Sequence, residues 1–144
     1  MTLDTYVTEW KKDAPIPPDD LDTSSRNVPM LHAKWLHYHV SERIRYRKME
    51  LDYKRLYNNK YQWYAGKMID EDRKKLGWPP NPVKLMTTAI PRHIDADPDV
   101  QLLVLDKSLC EETLRFLEEV VAQINKRSFH IANANAFLKW KMGV

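Results

Sequence analysis

Three features of this 144-residue sequence predict an all-α fold. Two segments, about 29–66 and 98–126, carry apolar residues at helical spacing with no proline or glycine in their interiors. Prolines crowd instead outside them, at Pro15, Pro17 and Pro18 before the first and at Pro79, Pro80 and Pro82 between the two. No run of alternating apolar and polar residues marks a strand. Leu, Ile, Val and Phe together make 34 residues, about 24%, above the roughly 20% below which chains stay disordered. The expected architecture is two long antiparallel helices with short flanking ones, built as one domain or as one core with an appended arm.

The N-terminal arm comprises residues 1–18. Leu3, Tyr6, Val7 and Trp10 fall at i, i+3, i+4 and i+7, which predicts a short amphipathic helix ending near Asp13. The proline cluster after it has no amide hydrogens to continue a helix, so residues 14–18 read as a stiff connector. Helical pattern resumes at Asp19, with Asp19 or Asp20 as N-cap, and Pro29 either kinks that helix or opens a new one. Residues 19–67 form the basic and aromatic segment. As a single rod, its long helix would run roughly 55 Å, against a radius of gyration of about 14–15 Å for a compact chain of this size. Such a rod needs a partner along its length, and Gly66 is its expected C-terminal cap.

Residues 68–97 begin with a short helix from Asp70, acidic in its first turn and basic in its last, stopped by Gly77. Residues 78–98 then read as an irregular return loop with one helical turn around Val83 to Thr88. In the final segment, 98–144, Val100, Leu103, Lys107, Cys110, Leu114, Leu117, Val121, Ile124 and Ser128 recur at alternating spacings of three and four. That is a heptad seam. Leu102, Leu109, Phe116 and Val120 widen the stripe, so this helix wants neighbours on more than one side. A last helix, about Ala134 to Met142, presents Phe137, Leu138 and Trp140.

Several function classes drop out. Gly66, Gly77 and Gly143 lack the spacing of a phosphate-cradling loop or a dinucleotide fingerprint, and no cofactor is implied. A lone Cys110 makes neither an internal disulfide nor a cysteine metal site, and reads as a small buried apolar residue. His32 and His39 lie two helical turns apart, too far for two ligands on one ion. Asp95, Asp97 and Asp99 lack the glycine a calcium loop needs and read as an acidic helix cap. No metal, membrane span or catalytic constellation is expected, so the chain is not read as an enzyme. With no leader-like opening, it reads as intracellular.

Charge is distributed unevenly. Residues 31–67 hold nine Lys and Arg against three Asp and Glu, whereas residues 1–30 are acidic and the remainder balances. This is the footprint of a polyanion-binding surface, or of a solvated helix face. Tyr53, Tyr57, Lys60, Tyr64 and Lys67 form one helical stripe of rings and cations, with Arg43, Arg47 and Lys54 as a neighbouring cationic line. Cations neutralise phosphates and rings stack on unpaired bases, a combination suited to single strands. The same tyrosines equally fit a core-facing stripe. The competing reading is a structural coiled-coil assembly protein with no nucleic-acid role.

The ordered segments resemble the UvsY-type recombination mediator proteins of T-even-like bacteriophages. Leu31, Lys34, Trp35 and Leu36 resemble the opening of that family's long helix, and Trp63, Tyr64, Ala65 and Gly66 its aromatic-aromatic-small-Gly ending. Leu76, Gly77, Trp78 and Pro79 are similar to a segment of marine members. Ile124 to Ile131 resembles the Ile-Asn-x-Arg-Gly-Phe-x-Ile block, with Ser128 in place of its Gly, and Phe137 to Gly143 the tail. The resemblance, over residues 19–143, implies a non-catalytic mediator that binds single-stranded DNA and contacts the phage recombinase and the phage single-strand-binding protein, in the cytoplasm of the infected bacterial host. It also implies a homo-oligomeric ring of the hexamer or heptamer class. The family's Lys-x-Arg pair falls at Asn58 and Lys60, with Lys54, Arg55 and Lys67 as compensating cations. The expected strand contacts are therefore Lys60, Lys67, Lys54, Arg55, Arg43, Arg47, Tyr57 and Tyr64. The expected assembly contacts are Leu103, Cys110, Leu114, Leu117, Val121, Ile124, Phe137 and Trp140. The arm is left to either a partner protein or the adjacent subunit.

Overall fold

A computed structural model describes residues 1–81 and 84–144, which are helical with no strand among them. In chain order the helices are α1 (Leu3–Asp13), α2 (Leu21–Arg26), α3 (Val28–Tyr64), α4 (Asp70–Leu76), α5 (Ile90–Asp95), α6 (Pro98–Asn125) and α7 (Arg127–Lys141). They form two compact units, one of residues Met1–Ile44 and Cys110–Val144, the other of Arg45–Leu109.

The first unit is built around Trp35, which is fully buried together with Tyr6, Leu117, Val120 and Ile124. Trp10 meets Trp35 edge-on at 5.5 Å and Tyr38 does so at 5.3 Å, contacts worth about 0.5–1.5 kcal/mol each beyond area burial. Glu42 accepts the Tyr6 hydroxyl and lies against the Cys110 thiol, while His39 meets Glu118. Rising numbers on α3 thus meet falling numbers on α6, and the two segments run antiparallel within this unit.

The arm packs on its own chain. Thr2 caps α1 by accepting the Thr5 amide, and the apolar face read from the sequence places Tyr6 and Trp10 on the Trp35 cluster. Polar contacts fix the register: Lys34 Nζ lies 2.7 Å from Asp13 and 2.8 Å from Glu9, the Trp35 indole donates to Asp13, and the Tyr38 hydroxyl to Glu9. Burial alone would lower the Lys34 pKa, but its bonds to Asp13 and Glu9 outweigh that and raise it. The connector is held from the other end of the chain. Arg127, itself buried, donates to the carbonyl oxygens of Ala14 and Pro15 at 3.0 and 3.1 Å.

Pro29 starts a helix and kinks none: α2 ends at Arg26 and α3 begins at Val28, leaving Pro29 in the first turn where its missing N–H costs nothing. α2 packs on α7, which starts at Arg127 and so exceeds the expected 134–142 by two turns.

In the second unit, Ala65, Ile90, Ile94 and Val100 form the core, with Tyr53, Leu56, Tyr57, Tyr61, Tyr64 and Leu85 packed around it. Gly66 ends α3 at φ 68°, and the Lys67 amide returns to Gln62 O while the Gly66 amide returns to Trp63 O. This Schellman closure satisfies carbonyls the helix leaves open. Gly77 stops α4 in the same conformation, φ 71°. The return loop holds a helix the sequence reading missed. Of the turn expected over 83–88, residue 83 lies outside the described residues and 84–88 are not helical. Helix α5 follows instead, with Pro91 in its first turn and Ile90 and Ile94 buried one turn apart.

Candidate nucleic-acid interface

Lys60 lies near the end of α3, only 6% exposed. Its ammonium is 2.9 Å from Asp99 and 3.1 Å from Asp97, and it stands over the Trp78 ring at 4.2 Å and the Trp63 ring at 5.8 Å. Asp97 precedes α6 and accepts the Asp99 amide, as an N-cap does. Its other oxygen also accepts the Tyr64 hydroxyl at 2.7 Å. Burial alone would raise the Asp97 pKa, but the Tyr64 hydroxyl, the Lys60 ammonium and the Asp99 N–H outweigh it and hold the carboxyl below its usual value. Burial, reinforced by the bond to Asp97, pushes the Tyr64 phenol up to about 12. The network joins the end of α3, the start of α6 and, through Trp78, the segment following α4. Two expected strand contacts, Lys60 and Tyr64, are therefore committed to the interior, because two carboxylates and a ring already surround the cation.

Tyr57 packs, half-buried, against the second core. The ring-and-cation stripe is thus divided: its tyrosines and Lys60 turn inward, and Lys67 remains exposed. The cations off that stripe behave differently. Arg43 in the first unit, and Arg47, Lys54 and Arg55 in the second, are exposed, and with Lys67 their side chains form no ion pair among the described residues. Exposed cations of this kind suit phosphates, which need charge without fixed geometry. A cleft of about 580 Å³ on α1 is lined by Asp4, Glu9 and Asp13 with Lys12 and Lys34, and its carboxylates repel phosphate.

The heptad seam lies inside the chain. Leu117 and Ile124 are buried with Trp35, and Cys110 is buried against Glu42. Leu103, Leu114 and Val121 are half-buried. Val121 packs on the Trp35 cluster beside Leu117 and Ile124, so this part of the seam meets α3 of the same chain. Phe137 and Trp140 are exposed, at 59% and 76%. Leu102 and Leu109, which widen the stripe in the sequence, are 63% and 58% exposed, and Leu105, which the sequence reading did not single out, is 66% exposed between them at spacings of three and four on α6. The signal was present in the stripe's excess width.

Among the described residues no cluster of His, Cys, Asp and Glu could hold a metal ion, and no helix is long and apolar enough to cross a membrane.

No curated protein sequence matches the chain. Two crystal structures of the bacteriophage T4 recombination mediator protein UvsY share its fold. One, in lattice type IV, is 21% identical with a TM-score of 0.78, covering 98% of this chain and 99% of the other. The second, in lattice type II, is 22% identical with a TM-score of 0.77, covering 99% and 98%. The family model described as recombination, repair and ssDNA binding protein UvsY matches residues 9–144, and on that match this chain belongs to the UvsY family.

Proposed function

We propose that this protein is a recombination mediator that binds single-stranded DNA and helps load a phage recombinase in place of the single-strand-binding protein, without catalysis. The observation that carries the reading is the set of exposed cations on α3 and its cap, Arg43, Arg47, Lys54, Arg55 and Lys67, in a chain of this family. They contact the strand, while Lys60 acts from the interior by fixing the helix end that presents Lys67. Each protomer's contact is weak. A homo-oligomeric ring, of the hexamer or heptamer class, raises the effective concentration of sites and turns weak contacts into a firm grip. The wrapped strand is held stretched or kinked in a form the recombinase seizes, in the cytoplasm of the infected host, and the exchange is driven by binding free energy alone.

A titration of a labelled oligothymidine by fluorescence anisotropy tests this. Affinity should fall steeply with salt, by a slope of about 0.7 per phosphate contacted on a single strand. Duplex of equal length should compete poorly. Absence of binding at low salt, or equal affinity for duplex, overturns the reading.

A further inference from the structure

At the capped end of α3, within the second unit, lies a small cavity of about 190 Å³. Trp63, Met68 and Pro80 give it apolar walls, and Gly66 leaves one stretch of wall as bare backbone. It is smaller than the roughly 300–1,000 Å³ of sites that bury a whole drug-sized ligand, so it suits one flat ring and not a complete nucleotide.

Trp63 is half-buried and fixed in place. Its indole N–H donates to Pro79 O at 2.8 Å, and its ring meets Tyr64 edge-on at 4.9 Å. With its one donor engaged, Trp63 has only ring surface to offer a ligand. The Asn81 amide is engaged too, donating to the carbonyl oxygens of Trp63 and Tyr64. Arg73, which also lines the cavity, still has a donor open. Its Nη1 donates to Trp78 O at 3.0 Å, but its buried Nε has no hydrogen-bond partner among the described residues, and the Asp70 carboxylate stands 3.5 Å from it. A buried donor left open is uncommon in a folded protein.

Cations flank the cavity. Lys67, exposed, lies between Gly66 and Met68 in sequence, and the stem of exposed Lys84 runs so close to Gly66 that a methyl there would meet its Cγ at 3.3 Å. A phosphate does not suit the interior, because the Asp70 carboxylate lines it and its apolar walls offer no donor. A nucleobase does. Aromatic rings stack on bases whatever the sequence, a guanidinium donates to base oxygens and ring nitrogens, and a carboxylate accepts from base N–H groups.

We propose that this cavity holds one unpaired nucleobase of the strand against Trp63, with Arg73 and Asp70 at the polar edge of the base and Lys67 and Lys84 on the adjoining phosphates. The inference rests on the single-strand reading given above and adds a contact with the bases to the phosphate contacts made by the cations of α3. It also gives the preference for single strands a source. Phosphate contacts exist on duplex and single strand alike, whereas a base inside a duplex reaches such a cavity only by being flipped out.

Two oligomers of equal length and charge test it by fluorescence anisotropy: labelled oligothymidine, and an abasic oligomer with the same sugar-phosphate backbone. The native chain should hold oligothymidine at least about fivefold more tightly, the factor that one stacked base contributes at the low end. Trp63→Leu should lose most of that advantage. A variant that weakens both oligomers equally would make Trp63 a structural residue only and overturn the inference. Because Trp63 also packs beside Tyr64 and Trp78, a second measurement leaves the chain unaltered. Oligothymidine carrying 5-iodouracil crosslinks on irradiation to an aromatic side chain lying against the base, and mass spectrometry of the peptides should place the link on Trp63. Crosslinks that are absent, or confined to other residues, overturn the inference. Equal affinity of the native chain for the two oligomers removes the pocket and leaves the phosphate-contacting cations standing, whereas no binding of either at low salt removes the proposed function and this contact with it.

Discussion

Replacing Lys60 by Met tests the division between interior and surface cations. The substitution keeps most of the side-chain volume and removes the charge from a site where the lysine is 6% exposed. Breaking a buried pair from one side costs about 3–5 kcal/mol, because the remaining charge is left uncompensated. Here the loss should sit near the lower end, about 3 kcal/mol, for two structural reasons. Asp97 keeps its bonds from the Tyr64 hydroxyl and the Asp99 amide, and Asp99, its side chain 61% exposed, regains water. Urea unfolding followed by circular dichroism, at one fixed protomer concentration, measures it. Exposed Lys54→Met serves as control and should stay within about 0.5 kcal/mol of the parent. The same pair is then compared in strand binding. Lys54→Met should lower the salt slope by about 0.7, whereas Lys60→Met should leave the slope unchanged under conditions where it is folded. A Lys60→Met protein as stable as the parent, with a slope reduced by one phosphate's worth, would refute the buried assignment and return Lys60 to the surface.

Other consequences follow from the same contacts. Changing Lys54, Arg55 and Lys67 together to Ala should lower the salt slope by about 2 with little change in melting temperature. Tyr64 has a folded-state pKa of about 12 against an ordinary 10, so its contribution is fully present below pH 10 and is lost as pH rises toward 12. The shift corresponds to about 2–3 kcal/mol, and it should appear as the stability difference between the native chain and Tyr64→Phe narrowing over that window. Asp97, held below its usual value, adds stability that disappears as pH falls through its lowered folded-state pKa, and Asp97→Asn should remove that acid dependence. Gly66→Ala should cost about 1–2 kcal/mol for the left-handed backbone, and its new methyl would stand 3.3 Å from Lys84 Cγ; thermal melting reads both effects together.

Helix placement was legible wherever a local rule dominates. The arm helix, the α4 stop at Gly77 and the Gly66 cap follow from side-chain periodicity and glycine's access to positive φ, and all are present. Helix α5 in the return loop is hard to read because its apolar signal rests on only Ile90 and Ile94 and a proline, Pro91, stands in its first turn, where a helix accepts it. The direction in which a stripe faces was less accessible. Tyr53, Tyr57 and Tyr64 at helical spacing fit a core as well as a strand surface; all three pack on the second core, built largely from residues distant in sequence, and Asp97 gives Tyr64 its acceptor. Lys60 looked like a phosphate contact for the same reason. Cationic side chains are rarely buried, and only the meeting of Asp97, Asp99 and Trp78 around it makes burial tolerable. Periodicity marks the heptad seam as a surface that wants a helix against it, but does not say whether that helix belongs to the same molecule.

The grip of Arg127 on Ala14 and Pro15 links the two ends of the described chain. Pro15 has no amide to offer, and the carbonyls around it take their protons from a guanidinium more than a hundred positions downstream. Deleting residues through Pro15 would strand that guanidinium without these acceptors at the start of α7, so a deletion meant to map the front of the protein would also loosen its back. A change in behaviour on shortening one end would therefore not by itself locate its cause at the residues removed.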